Sequence, residues 1–477
     1  MPGLSEKQKK GVLIGVSVII GVPLVLFLGL LATIAIMYGP VYAYRVLVYN
    51  EATIQDYKRV FPSRAVENQP PVFNFKTAAQ PLQLGKVTYT YPLGNSTTID
   101  FEPYLAQSDS TAFIVIKDDT ILYEKYLNGY QRDSINRSFS MAKSITSTLV
   151  GLAVQDGYIH SINDTLITYL PELKGRGLDA MTIRDLLVMN SGIAFTLLPR
   201  DAFILAQPFY DEALMYYMPN SRAHVLNLRA GKEPVGAYFL YDDYYPLLEG
   251  MIIERTSHKT ISAYTEEKLW RQLGMEFSAS WSLDSEQDGF EQAASGFNAR
   301  SIDFAKFGRL FLNEGRWEGR QILPAGWVKE ATSPDPNDRR PWMNDRDWKN
   351  AGGYYKYHWW GIVNQDGTYD YAATGSPGGQ IIYISPGHNA IVVHNGASGD
   401  PMVCYREPGR SDYLHQPRPQ CNRGAQRRQR GPHGMGNDRP FYYPGPEIAV
   451  FTRLDVPVAY RVFALADRRD SVELTIV

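Results

Sequence analysis

The chain has 477 residues, 44% of them apolar and 21% charged, which excludes a single small domain and wholesale disorder. Its 48 basic and 50 acidic residues nearly cancel, so the charge balance gives no reason to expect nucleic-acid binding. The two cysteines, Cys404 and Cys421, lack metal-ligand spacing, and whether they pair in an oxidising compartment stays open.

Residues 12–37 contain no charge and are rich in Val, Ile and Leu. At about 1.5 Å rise per residue the run outspans a hydrocarbon core of roughly 30 Å, which predicts one transmembrane helix. Lys7, Lys9 and Lys10 precede it, and Arg45 is the first charge after it. That asymmetry predicts a cytoplasmic tail at 1–11, a single-pass anchor at 12–37, and a periplasmic or extracellular remainder. A cleaved signal is the rival, but the apolar run is long for one and Val41-Tyr42-Ala43 is a poor cleavage site. Residues 38–100, with the Pro70-Pro71 break, show little periodicity and are expected to form a stalk or an N-terminal cap.

A large domain is expected over 101–477. Ala112 to Lys117 and Ile121 to Tyr126 flank Asp118-Asp119-Thr120, a hairpin signal. Met141 to Ala153 lacks breakers and reads as a helix opening around Ser140. A second strand pair, Gln380 to Ile384 and Ala390 to Val393, is split by Pro386-Gly387. Strands at both ends of a mainly helical middle predict α/β layering in which distant segments share one sheet. Residues 401–440 hold eight arginines, no lysine, six prolines and five glycines, and predict a basic, irregular, solvated insertion.

Chemistry concentrates at Ser140. A helix starting there puts Lys143 on the same face, within reach of the Ser140 hydroxyl. Serine is a poor nucleophile until a neighbour accepts its proton, and a lysine serves when its surroundings favour the neutral amine. The helix start also offers backbone N–H groups to a developing oxyanion. The tetrapeptide alone is weak, because Ser140 could simply cap a helix. There is no G-x-S-x-G elbow, H-E-x-x-H helix or phosphate loop, and no metal or cofactor is expected. His358, between Tyr357 and Trp359-Trp360, reads as a packed or hydrogen-bonded core histidine.

Arg137-Ser138-Phe139-Ser140-Met141-Ala142-Lys143-Ser144, with Gly151-Leu152-Ala153 and Gly157-Tyr158-Ile159, resembles the first active-site motif of the serine β-lactamase and penicillin-binding superfamily. Thr182 to Ile193 and Gly296 to Gly308 resemble later blocks in the same order. The likeness runs from about Ala112 to Val393 and is closest to the branch with class C β-lactamases, esterases and 6-aminohexanoate-dimer hydrolases. It implies a β-lactamase-like antiparallel sheet flanked by helices, with an all-helical lobe. Tyr241 falls at the tyrosine of the second motif and would relay a proton to the leaving group. Asp243 replaces the usual asparagine, which removes an amide donor and adds negative charge near Lys143. In the third motif Thr374, Gly375 and Ser376 would edge the site and complete the oxyanion hole. Ala373 stands where lactamases carry a basic residue, which argues against binding a free carboxylate.

These readings point to a membrane-anchored serine hydrolase that cleaves a small-molecule ester or amide through an acyl-enzyme on Ser140. A DD-peptidase or β-lactamase is the alternative within that class. A non-catalytic anchored binding module that keeps the fold is the alternative outside it, favoured by Asp243 and Ala373 and opposed by intact Ser140, Lys143 and Tyr241.

Overall fold

Two adjacent aspartates make the hairpin turn between Ser110–Lys117 and Thr120–Tyr126. Asp118 and Asp119 both take positive φ, 50° and 57°, the twist that joins antiparallel strands through two residues. The computed structural model describes residues 6–49, 52–90, 96–195, 208–343, 346–350, 352–364, 366–377, 379–397, 463–468 and 471–476. The expected basic insertion at 401–440, with Cys404 and Cys421, lies outside them.

The elements that position the site are, in chain order, helices α1 (Glu6–Tyr38) and α2 (Pro40–Val48), strands β1 (Lys76–Thr77), β2 (Ser110–Lys117) and β3 (Thr120–Tyr126), and helices α3 (Met141–Gln155), α4 (Asp211–Tyr217), α5 (Tyr244–Ser257) and α6 (Ser301–Leu312). Strands β4 (Gly353–Lys356), β5 (Trp359–Val363), β6 (Tyr369–Gly375), β7 (Gln380–Ser385) and β8 (Ala390–Gly396) follow. The main sheet runs β4-β5-β6-β7-β8-β2-β3-β1 and is antiparallel except for the β1–β3 pair. Pairing of β8 with β2, Val393 opposite Ile114 and Ile391 opposite Ile116, joins the two ends of the domain in one sheet, as the strand pattern predicts. From Met141 to Lys268 the described residues form helices, turns and isolated bridges without a ladder strand. The fold is a mixed α/β one built on antiparallel sheets.

The strand sequences are apolar almost throughout because both faces of the sheet are covered. Ile114, Ile116, Ile382, Ile384, Ile391 and Val393 point to the core that contains α3 and α6. Phe113, Val115, Ile381, Tyr383 and Val392 point to the other face, against Leu84, Val87, Phe101 and Leu105. Helix α6 lies so close that a Cβ at Gly308 would stand 2.8 Å from Ile382 Cγ2 and 3.1 Å from Ile391 Cγ2. Only glycine permits that approach.

A second, four-stranded sheet pairs Ser63–Val66, Ala279–Ser282, Phe297–Ala299 and Asn136–Arg137. The chain leaves it at Arg137 and enters α3 four residues later. At the N-terminus, the stretch Gly21–Tyr38 is long and apolar enough to cross a membrane.

Candidate active site

Ser140 stands at the entry of α3, directly after Phe139, whose φ of 44° is uncommon for an aromatic residue. That conformation is held from outside the loop. Phe139 is buried, and the Arg137 guanidinium lies 5.7 Å from its ring centre, 5.1 Å from that of Phe61 and 5.3 Å from that of Tyr216. Arg137 itself is fully buried and donates to Ser282 Oγ at 2.7 Å and Gln292 Oε1 at 2.6 Å. Ser140 occupies the N-cap position, yet its side chain makes no capping bond. Its Oγ instead accepts a hydrogen bond from Lys143 Nζ at 2.8 Å.

Lys143 is 1% exposed and surrounded. Its Nζ donates to Ala294 O at 3.3 Å, lies 2.5 Å from Asp243 Oδ1, and sits 4.7 Å from the centre of the Tyr241 ring. Tyr241 is braced by Trp360 and Tyr355, with ring centres 5.4 and 5.8 Å away. Asp243 ends the loop before α5 and keeps 30% of its side chain exposed, so the lysine is reached from solvent on its carboxylate side.

Strand β6 closes the opposite wall. A Cβ at Gly375 would fall 2.2 Å from Ser138 O and 3.0 Å from Ser140 N. The strand end therefore lies directly on the backbone that presents the serine. Thr374 precedes it and is buried, while Ser376 follows and is exposed. Gly375→Ala is expected to push β6 off this backbone and cost about 1–3 kcal/mol, the usual range for overpacking, measurable by chemical denaturation. Ala373 is fully buried in the core that holds Met141 and Ala142, so it brings no charge to the site.

The structure thus brings together Ser140, Lys143, Tyr241 and Asp243, and lays Gly375 against the backbone of the serine, with Thr374 and Ser376 on either side of it in the chain. Several neighbours had no sequence signal. His394 is buried; it bonds Gly379 O through Nδ1 at 2.6 Å and Ser110 Oγ through Nε2 at 2.8 Å. Gln380 Nε2 donates to Gly396 O at 2.7 Å and Pro377 O at 3.2 Å. Together they pin the segment after β6. Burial lowers the His394 pKa to about 4, which suits a neutral ring that donates once and accepts once. His358 is a hydrogen-bonded core residue, as expected: its Nε2 lies 3.0 Å from both Glu249 oxygens, and its carbonyl accepts from Ser144 Oγ at 2.6 Å.

An acidic group flanks the Lys143–Asp243 pair. Burial, with Asp243 and Asp211 adding to it against a bond from the Tyr244 N–H, holds the Asp242 carboxyl well above the usual carboxylate range.

A mixed α/β domain with a serine and a buried lysine paired at a helix start has the makings of a serine hydrolase. The chain belongs to the Beta-lactamase family, whose model matches residues 100–412, and it is a serine hydrolase of that family. The 6-aminohexanoate-dimer hydrolase of Paenarthrobacter ureafaciens is 24% identical over 359 residues, 72% of this chain and 84% of that protein. Among solved structures, a Bacillus anthracis protein provisionally assigned as a 6-aminohexanoate-dimer hydrolase superposes with a TM-score of 0.61 at 24% identity, covering 73% of this chain and 89% of its own. A Bacteroides dorei protein provisionally assigned as a β-lactamase gives 0.52 at 19% identity, covering 62% and 88%. The family found is the one the ordered motifs imply.

Proposed function

We propose that the chain is a membrane-anchored serine acyl hydrolase that cleaves an ester or amide through an acyl-enzyme on Ser140. The observation that carries this reading is the 2.8 Å contact between Lys143 Nζ and Ser140 Oγ, made by a serine that could have capped its helix and does not. Ser140 Oγ attacks the carbonyl carbon, and its proton passes to the Lys143–Asp243 pair. Because the carboxylate lies 2.5 Å from the amine, the pair can take up one proton as a unit. Backbone N–H groups at Ser140 and the end of β6 meet the oxyanion, with Thr374, Gly375 and Ser376 forming that wall. Tyr241 relays the proton to the leaving group, which departs as an alcohol or amine. Water then adds to the acyl-enzyme, giving its hydroxyl to the released acid and its proton to Ser140.

Ala373 supplies no cation to hold a carboxylate, which favours an uncharged acyl group over a penicillin or a D-alanyl peptide. The charge-free run at 12–37 behind three lysines supports an N-terminus in the cytoplasm and the domain in the periplasm or outside the cell.

Turnover of a nitrophenyl ester by the full chain in detergent tests the proposal. Release of nitrophenol is the expected result; a folded chain that releases none would refute it, and stable acylation by penicillin would move the assignment to a DD-peptidase.

A further inference from the structure

Helix α2 has two unlike faces. Toward the domain, Tyr42, Ala43, Arg45 and Val46 are buried. The Tyr42 hydroxyl donates to Pro208 O at 2.7 Å, and Arg45 Nη1 donates to Asp284 O at 2.7 Å and Tyr217 O at 3.3 Å. Away from the domain, Val41, Tyr44 and Val48 are 48%, 55% and 55% exposed. Their i, i+3, i+7 spacing makes them one apolar stripe.

That stripe continues another apolar surface. Gly39, at φ 93°, and Pro40 turn α1 into α2 with no loop between them. The exposed side chains Leu24 to Leu28, Ile36 and Met37 of α1 therefore run straight into Val41, Tyr44 and Val48. Basic residues rim the far end. Lys58 and Arg59 are exposed, with the Arg59 guanidinium 5.6 Å from the centre of the Tyr49 ring, which itself meets Tyr44 edge-on at 5.9 Å. An apolar stripe with tyrosine and a cationic edge suits the headgroup layer of an anionic bilayer.

The inner face of α2 packs on α4, which in turn meets the surroundings of the catalytic residues. The Tyr38 ring lies 6.4 Å from that of Phe209, two residues before α4. Asp211 of α4 accepts a hydrogen bond from the hydroxyl of Tyr244, the residue after Asp243. Tyr216 of α4 and Phe61 share the Arg137 guanidinium with Phe139, the residue before Ser140.

We propose that α2 lies in the membrane–water interface and holds the Ser140 cleft at the bilayer surface, so that the enzyme takes amphiphilic acyl esters or amides presented by the membrane. This rests on the anchored hydrolase reading above. The test uses the full chain in phosphatidylcholine vesicles containing a minority of phosphatidylglycerol. Two substrates are compared: nitrophenyl acetate dissolved in water and nitrophenyl palmitate dissolved in the bilayer. The triple variant Val41→Ser, Tyr44→Ser, Val48→Ser should lose about tenfold in palmitate turnover, because interfacial binding scales with the apolar area inserted, and keep its acetate turnover. An unchanged palmitate-to-acetate ratio in the variant would overturn the proposal, as would an unaltered chain that cleaves acetate but not palmitate. Failure of the underlying reading looks different: the unaltered chain cleaves neither ester, or alkaline carbonate strips it from the vesicles.

Discussion

Ser140→Ala is expected to lower kcat for a nitrophenyl ester by at least about 10⁴-fold, since losing the nucleophile alone removes nearly everything a covalent catalytic unit contributes. The same change should leave the fold intact. Serine at an N-cap is ordinarily worth about 1 kcal/mol over alanine through its bond to the helix backbone. Ser140 makes no such bond, so the variant gives up only the bond from Lys143 Nζ, about 1 kcal/mol, and remains folded. Activity lost with stability kept is the signature of chemistry. Activity and stability lost together would return Ser140 to a structural role.

Lys143→Met carries the second large effect. Methionine fills nearly the same space in a site where the lysine is 1% exposed, but it accepts no proton. The expected fall in kcat/KM is about 10²–10⁴-fold, the range for losing a positioned general base. The variant should nonetheless fold. Asp243 loses its partner, but its side chain is 30% exposed and can be solvated, so no buried charge is stranded. Steady-state kinetics with denaturant unfolding on the same preparation separates the two effects. A variant retaining most of its turnover would remove Lys143 from the mechanism and move the base role to Asp243.

What could be read along the chain was whatever is decided locally. The Asp118-Asp119 turn follows from residues that tolerate positive φ, and the Ser140–Lys143 contact follows from helical spacing. Tyr241, Asp243 and Gly375 were found only through the order of motifs, because nothing local tells one tyrosine or glycine from another. The supports of the site could not be read at all. His394 meets Ser110 across 284 positions of sequence, and Arg137 meets Gln292 across 155. Asp242 and Asp243 are neighbours with opposite fates: one is buried and bonded to the start of α5, the other faces Lys143. Backbone direction decides that difference, and composition does not carry it. The short strand Ser63–Val66 was likewise silent, since its partner is Ala279–Ser282.

The most direct test of the account is covalent labelling. A fluorophosphonate applied to the folded, detergent-solubilised chain should add one label, and peptide mapping should place it on Ser140, with none on Ser140→Ala. A label on another serine, or a folded chain that takes none, would contradict it.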